Sequence, residues 1–274
     1  MAVTEQQSPA EALRARVRAT WMAGDFGRIA VGFERGAAEF VARLGLEPKE
    51  QVLDVACGTG NLALPAARGG ARVTAIDIAP PLVAQLAEHA ESEGLPMDAR
   101  EGDAEALPLE DGTFDTVMTM FGAMFAAHPQ AAADEMLRVT RPGGRIAMAN
   151  WTAEGFIGRM LKIVVGYAPP PAGVPSVLLW GDPRTVEERL GAGVKQLQFH
   201  RRTMVLEYPL TPAETVDLFR TWYGPTVRTF AALEDERQGS LFADLVRHWT
   251  EHNTAGPNAT RVESEFLEVI ATRA

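Results

Sequence analysis

The chain predicts an α/β fold of the Rossmann-like, doubly wound kind, a mostly parallel sheet with helices on both faces and a helical lid. Three observations carry this. Val52-Leu53-Asp54-Val55-Ala56-Cys57-Gly58-Thr59-Gly60-Asn61 is an apolar run that ends in an acidic residue and a glycine-rich turn, with a helix-forming segment after it. A second apolar run, Val73 to Ile76, ends in Asp77. Strand-like and helix-like segments then alternate as far as Asn150, which implies a parallel sheet with right-handed crossovers.

The first βαβ unit fits a nucleoside. Glycine lets a backbone approach a ligand closely because no Cβ intrudes. A carboxylate at the tip of the second strand can accept hydrogen bonds from both ribose hydroxyls. Gly58-Thr59-Gly60-Asn61-Leu62-Ala63 also satisfies the loose dinucleotide pattern, so a nicotinamide-dependent oxidoreductase stays open at this point. Asp54 argues the other way. It sits at the C-terminal end of its strand, where ligands bind in open α/β sheets, and suits a cationic group better than a pyrophosphate.

The remaining elements follow in order. Residues 1–9 read as disordered. Helices are expected over 10–23 and 28–44, broken by Gly24-Asp25-Phe26-Gly27. The core alternates strand 51–56, helix 62–68, strand 72–77, helix 81–93, strands 97–101 and 114–120, helix 130–139 and strand 145–150. The Pro142-Gly143-Gly144 turn ends a helix. Beyond Trp151 a helix over 155–166 precedes an extended loop at 168–175, rich in proline. A short helix runs from 182 to 190, a long strand from 194 to 207, helices over 212–223 and 236–252, and an alternating strand over 261–272. The expected organisation is one domain, 1–274, with an N-terminal helical cap (1–45), a cofactor-binding core (46–151), a lid insertion (152–230) and a C-terminal helix with a closing strand (231–274).

Composition bounds the function. With 26 Lys and Arg against 36 Asp and Glu, the formal net charge is −10, which argues against nucleic acid as the main partner. The first ten residues are polar and lack an apolar signal region. The longest apolar stretch, 117–127, is too short to span a bilayer. A cytoplasmic protein with no membrane span is expected. The single cysteine, Cys57, excludes an intrachain disulfide and a paired-cysteine metal site. His248-Trp249-Thr250-Glu251-His252 has zinc-peptidase spacing but lies far from the nucleoside motifs, and it is read as a solvated helix end; no metal is expected.

Taken together, the strings LDVACGTGNLA, VTAIDIA, EGDAEALPLEDGTFD and RVTRPGGRI resemble the class I S-adenosylmethionine-dependent methyltransferases, especially the broad ubiquinone and menaquinone methyltransferase-like (methyltransferase type 11) group. The resemblance spans about residues 20–150. It implies a seven-stranded sheet closed by an antiparallel strand, here 261–272, and S-adenosyl-L-methionine as cofactor. It also implies that the turn Ala56, Cys57, Gly58 and Gly60 passes beside the methionine and ribose portions, with Asp54 near the methionine ammonium and Asp77 on the ribose. Asp103 would meet the adenine amino group and Ala104 would offer a backbone N–H; Ile78 and Phe121 complete the expected cofactor set. Ala56 departs from the glycine common at that place.

The acceptor is read from aromatic residues around the expected cleft: Trp21, Phe26, Trp151, Tyr167 and Trp180 are the candidate substrate-binding residues. They suggest a small, partly apolar acceptor whose reacting atom is O, N, S or C. A hydroxyl acceptor would need a base, and His128, just past the fourth strand, is the candidate. A non-catalytic S-adenosylmethionine-binding protein is the second alternative. The sequence leaves the oligomeric state open.

Overall fold

A computed structural model describes residues 8–171 and 174–274. Seven strands form one sheet: β1 (Gln51–Val55), β2 (Arg72–Asp77), β3 (Met97–Glu101), β4 (Phe114–Met120), β5 (Thr140–Trp151), β6 (Val194–Tyr208) and β7 (Thr260–Arg273). Their spatial order is β3-β2-β1-β4-β5-β7-β6. Strands β1 to β5 pair parallel, and β7 runs antiparallel to both β5 and β6. The chain order reverses between β1 and β4, which opens a crevice at their C-terminal ends.

The sequence explains the layering. Val52, Leu53, Val55, Val117 and Met118 are buried without alternation, as expected for central parallel strands covered on both faces. β6 is an edge strand and carries Lys195, Arg201, Arg202 and Glu207, charges that discourage further edge pairing. Glu268, buried in β7, ties this edge to the cap. It accepts from Arg43 (2.6 Å) and Arg202 (2.7 Å).

Eleven α-helices flank the sheet among the described residues. In the cap these are α1 (Pro9–Trp21), α2 (Phe26–Ala30) and α3 (Glu34–Leu44). In the core they are α4 (Ala63–Arg68), α5 (Pro80–Ser92) and α6 (Pro129–Val139). Then come α7 (Phe156–Tyr167), α8 (Pro183–Leu190), α9 (Pro212–Trp222), α10 (Gly224–Ala231) and α11 (Asp235–His252).

Several expectations need correction. Of the segment expected to be disordered, residues 1–7 lie outside the described residues, but Ser8 and Pro9 are ordered. Ser8 closes a capping box with Glu11, and Pro9 starts α1, which suits its fixed φ. The helix expected over 28–44 breaks at a 3₁₀ turn, Val31–Phe33. The Tyr208 hydroxyl donates to Ile29 O (3.0 Å), competing with the helical ladder, and Gly32 packs so tightly that a Cβ would lie 2.4 Å from the Tyr208 ring. The strand expected from Arg145 begins at Thr140 and takes in the Pro-Gly-Gly turn, whose Gly143 has φ +75°. α10 was not anticipated; Pro225 occupies its first turn. The segment 152–230 is not wholly a lid, because it contains β6. Of the extended loop expected over 168–175, residues 172–173 lie outside the described residues.

Glu268 gives a stability test. Glu268→Ala would strand two partly buried guanidinium groups and is expected to cost about 1.5–3 kcal/mol in urea denaturation, the range for hydrogen bonds to charged groups. Glu93→Ala, which breaks the exposed pair with Arg68, should cost under about 1 kcal/mol.

Candidate active site

The cleft lies at the C-terminal ends of β3, β2, β1 and β4 and measures about 1000 Å³, part of it open to solvent. Each strand end delivers its own chemistry. β1 presents Asp54, and the turn behind it presents Ala56, Cys57 and Gly58; β2 presents Asp77 and Ile78. The loop after β3 presents Asp103, Ala104 and Glu105, and β4 ends at Met120 and Phe121. α1 and α2 close the top with Arg14, Val17, Trp21 and Phe26.

The turn after β1 holds an unusual backbone. Ala56 has φ +57° and Gly58 φ +54°, and across the cleft Phe121 has φ +54°. Non-glycine residues in this region store strain that the surrounding structure must hold. Two hydrogen bonds pin the turn to β2: Cys57 N–H donates to Ile76 O (3.0 Å), and Gly58 N–H to Asp77 Oδ2 (2.8 Å). A Cβ on Gly122 would lie 2.6 Å from the Ala56 Cβ, so the turns after β1 and β4 touch only because that residue is glycine.

Three carboxylates differ sharply in environment. Asp77 is buried, and its Oδ1 accepts from Ala79 N–H (2.9 Å); burial raises its pKa while these N–H groups pull it back. Each oxygen keeps a lone pair for a ligand. Asp103 Oδ1 accepts from Glu105 N–H (2.9 Å). Asp54 is 1% exposed, and its Oδ2 has no hydrogen-bond partner among the described residues. Burial pushes its pKa up to about 8, with the neighbouring Asp77 charge adding to the effect. Burial likewise pushes the Cys57 thiol well up, which makes it a poor nucleophile.

Of the expected cofactor-binding residues, Asp54, Ala56, Cys57, Gly58, Asp77, Ile78, Asp103, Ala104 and Phe121 meet at this cleft; Gly60 does not line it. With φ +99°, Gly60 faces α5, where a Cβ would lie 2.3 Å from Leu86 Cδ1. It serves packing and turn geometry rather than direct ligand approach. Gly60→Val is therefore expected to lower the melting temperature of the ligand-free protein, measured by thermal denaturation.

The expected acceptor residues divide. Trp21 and Phe26 line the cleft, whereas Trp151, Tyr167 and Trp180 do not. Trp151 is buried behind Phe121, stacked at 3.5 Å with an interplanar angle of 7°. Tyr167 donates to Asp244 on α11 (2.7 Å). Trp180 is fully buried, with the Arg189 guanidinium over its ring at 4.4 Å. No described residue of 152–230 reaches the cleft wall; among the described residues the closing elements come from the N-terminal cap.

His128 is also displaced from the role expected of it. Its backbone N–H and its Nδ1 both meet Glu105, each at 2.7 Å, and the imidazole is not part of the cleft wall. Glu105 further accepts from Arg14 Nε (3.0 Å). His128 thus holds the loop after β3 instead of facing an acceptor. In the His248–His252 pair, His248 stacks on Phe156 and its Nε2 lies 3.0 Å from Phe156 O. Its environment is a packed helix interface, not the solvated helix end expected.

Several residues of the wall were not anticipated: Arg14, Phe33, Phe125 and Glu105. The Glu101-to-Pro108 string contains Glu105, but nothing in its spacing distinguishes it from Asp103.

The Asp54 environment sets a pH dependence. Its carboxyl holds a proton in the fold up to about pH 8 but only to about pH 4 in the unfolded chain. Between those values the folded state binds more protons, so this group makes stability fall as pH rises, by at most about 1.4 kcal/mol per pH unit. Asp54→Asn should remove that fall. The difference in unfolding free energy between variant and parent, measured from pH 5 to 8, should grow in the variant's favour.

The same fold and sequence pattern occur elsewhere. Residues 52–144 match the family model of a methyltransferase domain. An uncharacterized protein of Mycobacterium tuberculosis (strain H37Rv) is 40% identical over 265 residues, 96% of each chain. A demethylmenaquinone methyltransferase of Thermus thermophilus is 38% identical over 126 residues, covering 45% of this chain and 50% of that protein. The crystal structure of YcgJ from Bacillus subtilis superposes with a TM-score of 0.59 at 15% identity, covering 87% of this chain and 98% of that one, a likeness of fold alone. On the cleft, the motifs and these relatives, the chain belongs to the class I S-adenosylmethionine-dependent methyltransferases.

Proposed function

We propose that this protein binds S-adenosylmethionine in the cleft and transfers its methyl group to a small, partly apolar molecule held beside Phe121. The observation that carries the reading is the orphaned Oδ2 of Asp54, a buried carboxylate oxygen at the cleft with no partner among the described residues. Such an atom is costly unless a ligand completes it. A methionine ammonium has the required charge, and its arrival would favour the ionised form of Asp54.

The other groups fit the same ligand in strand order. Asp77 keeps lone pairs for the two ribose hydroxyls. Asp103 accepts from the adenine amino group, and Ala104 offers its N–H to the ring. The bound cofactor would supply a methyl group made electrophilic by its sulfonium. The chain's own contribution is to align the acceptor behind that methyl and to exclude water through Trp21 and Phe26. No helix among the described residues is long and apolar enough to cross a membrane, and a cytoplasmic reaction on a soluble small molecule is our reading.

A nicotinamide cofactor is the competing ligand. Its pyrophosphate would face Asp54, Asp77 and Asp103, with Arg14 as the only cationic residue of the wall among the described residues. Calorimetry is expected to give a micromolar-range dissociation constant for S-adenosylhomocysteine, typical of metabolite sites (about 1 μM to 1 mM), and negligible binding of NADH. The reverse order would overturn the reading. Asp77→Ala should weaken S-adenosylhomocysteine by at least about tenfold, or ~1.4 kcal/mol. It should also lower the melting temperature, because the same carboxylate pins Gly58 and Ala79.

A further inference from the structure

Resting on the function proposed above, we propose that the acceptor is a nitrogen base, an amine or heteroaromatic nitrogen, and that the β4 end of the cleft is built to hold the methylated cation it becomes. Strand order separates the cleft into two ends. Among the described residues, every titratable side chain of the wall comes from α1 or from the ends of β1, β2 and β3: Arg14, Asp54, Cys57, Asp77, Asp103 and Glu105. From β4 onward the described wall is Met120, Phe121, Gly122, Ala123, Phe125 and Ala126, none of which can take or give a proton. His128 cannot fill that gap, because Glu105 holds it on the β3 side.

Aromatic rings form a band from the Gly58 turn, where a Cβ would lie 3.5 Å from Phe26, to this end. Phe125, Trp21, Phe26, Phe33 and Phe121 all line the cleft and touch in sequence, with ring centroids 5.1, 5.7, 6.2 and 6.2 Å apart. Phe121 has one face covered by Trp151, which leaves its other face for the cleft. Aromatic faces attract cations, and methylated ammonium groups above all.

Three acceptor chemistries can be weighed against this wall. A neutral hydroxyl must lose its proton, and no base stands at the β4 end among the described residues. A thiolate or phenolate brings a negative charge into a cleft whose one guanidinium among the described residues, Arg14, is already paired with Glu105. A nitrogen that enters unprotonated needs neither base nor counter-cation; a heteroaromatic nitrogen does so at neutral pH, and an amine first leaves its proton in solvent. The nitrogen lone pair forms the new N–CH₃ bond as the C–S bond breaks, the bonding pair goes to sulfur, and the positive charge moves from sulfur to nitrogen. A tertiary or heteroaromatic nitrogen keeps that charge; a secondary amine sheds its proton to solvent afterwards.

The test uses the full chain saturated with S-adenosylhomocysteine and compares two isosteres by calorimetry. Choline carries a trimethylammonium group, and 3,3-dimethylbutan-1-ol carries the uncharged tert-butyl equivalent. Choline is expected to bind at least about tenfold tighter, and Phe121→Leu should reduce that preference to about threefold or less. Equal or tighter binding of the alcohol, or no binding of choline, would overturn the inference while leaving the methyltransferase reading intact. Failure of S-adenosylhomocysteine itself to bind would remove both.

Discussion

The structure around the cleft depends on one carboxylate. Asp77 ends β2 and accepts from Gly58 N–H and Ala79 N–H. The first bond folds the turn after β1 against β2. The second sets the path into α5, whose first turn begins at Pro80. A buried carboxylate is costly without such donors, and its raised pKa records the part of that cost the N–H groups do not offset. The positive φ angles at Ala56 and Gly58 are tolerable because the turn is held at both ends, by this bond and by Cys57 N–H to Ile76 O. One side chain thus fixes the local fold and presents a ligand-binding surface.

A second carboxylate organises the roof. Glu105 follows β3 and is almost fully buried, yet it gathers Arg14 from α1 together with the backbone and ring of His128 at the start of α6. α1 buries no residue of its own, so propensity and capping alone would not fix its position. The Arg14–Glu105 pair, the Arg18–Glu101 pair and the packing of Trp21 among Phe26, Phe125 and Tyr223 locate it. The exposed Arg18 pair contributes little by itself. The helix is therefore held by Trp21, by one partly buried ion pair and by close packing on α10, where a Cβ on Gly224 would lie 2.1 Å from Thr20 O.

The strands and the polar half of the cleft were legible because their physics is local. Buried parallel strands must be continuous apolar runs, and a run that stops at Asp54 or Asp77 before a glycine turn announces a crevice. The aromatic half was not legible, because which side of a wall a ring faces depends on tertiary packing. Trp151 closes β5 and seemed placed for an acceptor, but Phe121 from the neighbouring strand stands in front of it. Trp180 and Tyr167 were misread for a related reason: their segment buries itself against β5 and α11 rather than covering the cleft. The glycine pattern also hid a division of labour, since Gly58 meets the cleft while Gly60 meets Leu86. His128 lies just past β4, as its number suggests, yet Glu105, distant in sequence, holds it beside the loop after β3.

Asp54 brings stability and function to one atom. A permanently ionised Asp54 buried with an unpartnered oxygen would be costly in the ligand-free fold, and holding a proton relieves that. A cationic ligand reverses the balance, because its charge favours the carboxylate and its N–H groups complete Oδ2. On the function proposed here, binding below about pH 8 is therefore coupled to release of a proton, and the cost of burying the charge falls only on the bound state. The strained turns at Ala56 and Phe121 follow the same logic of preorganisation. Both are held in place by the central strands before any ligand arrives, so the β1 and β4 ends of the cleft are already formed around the space between them.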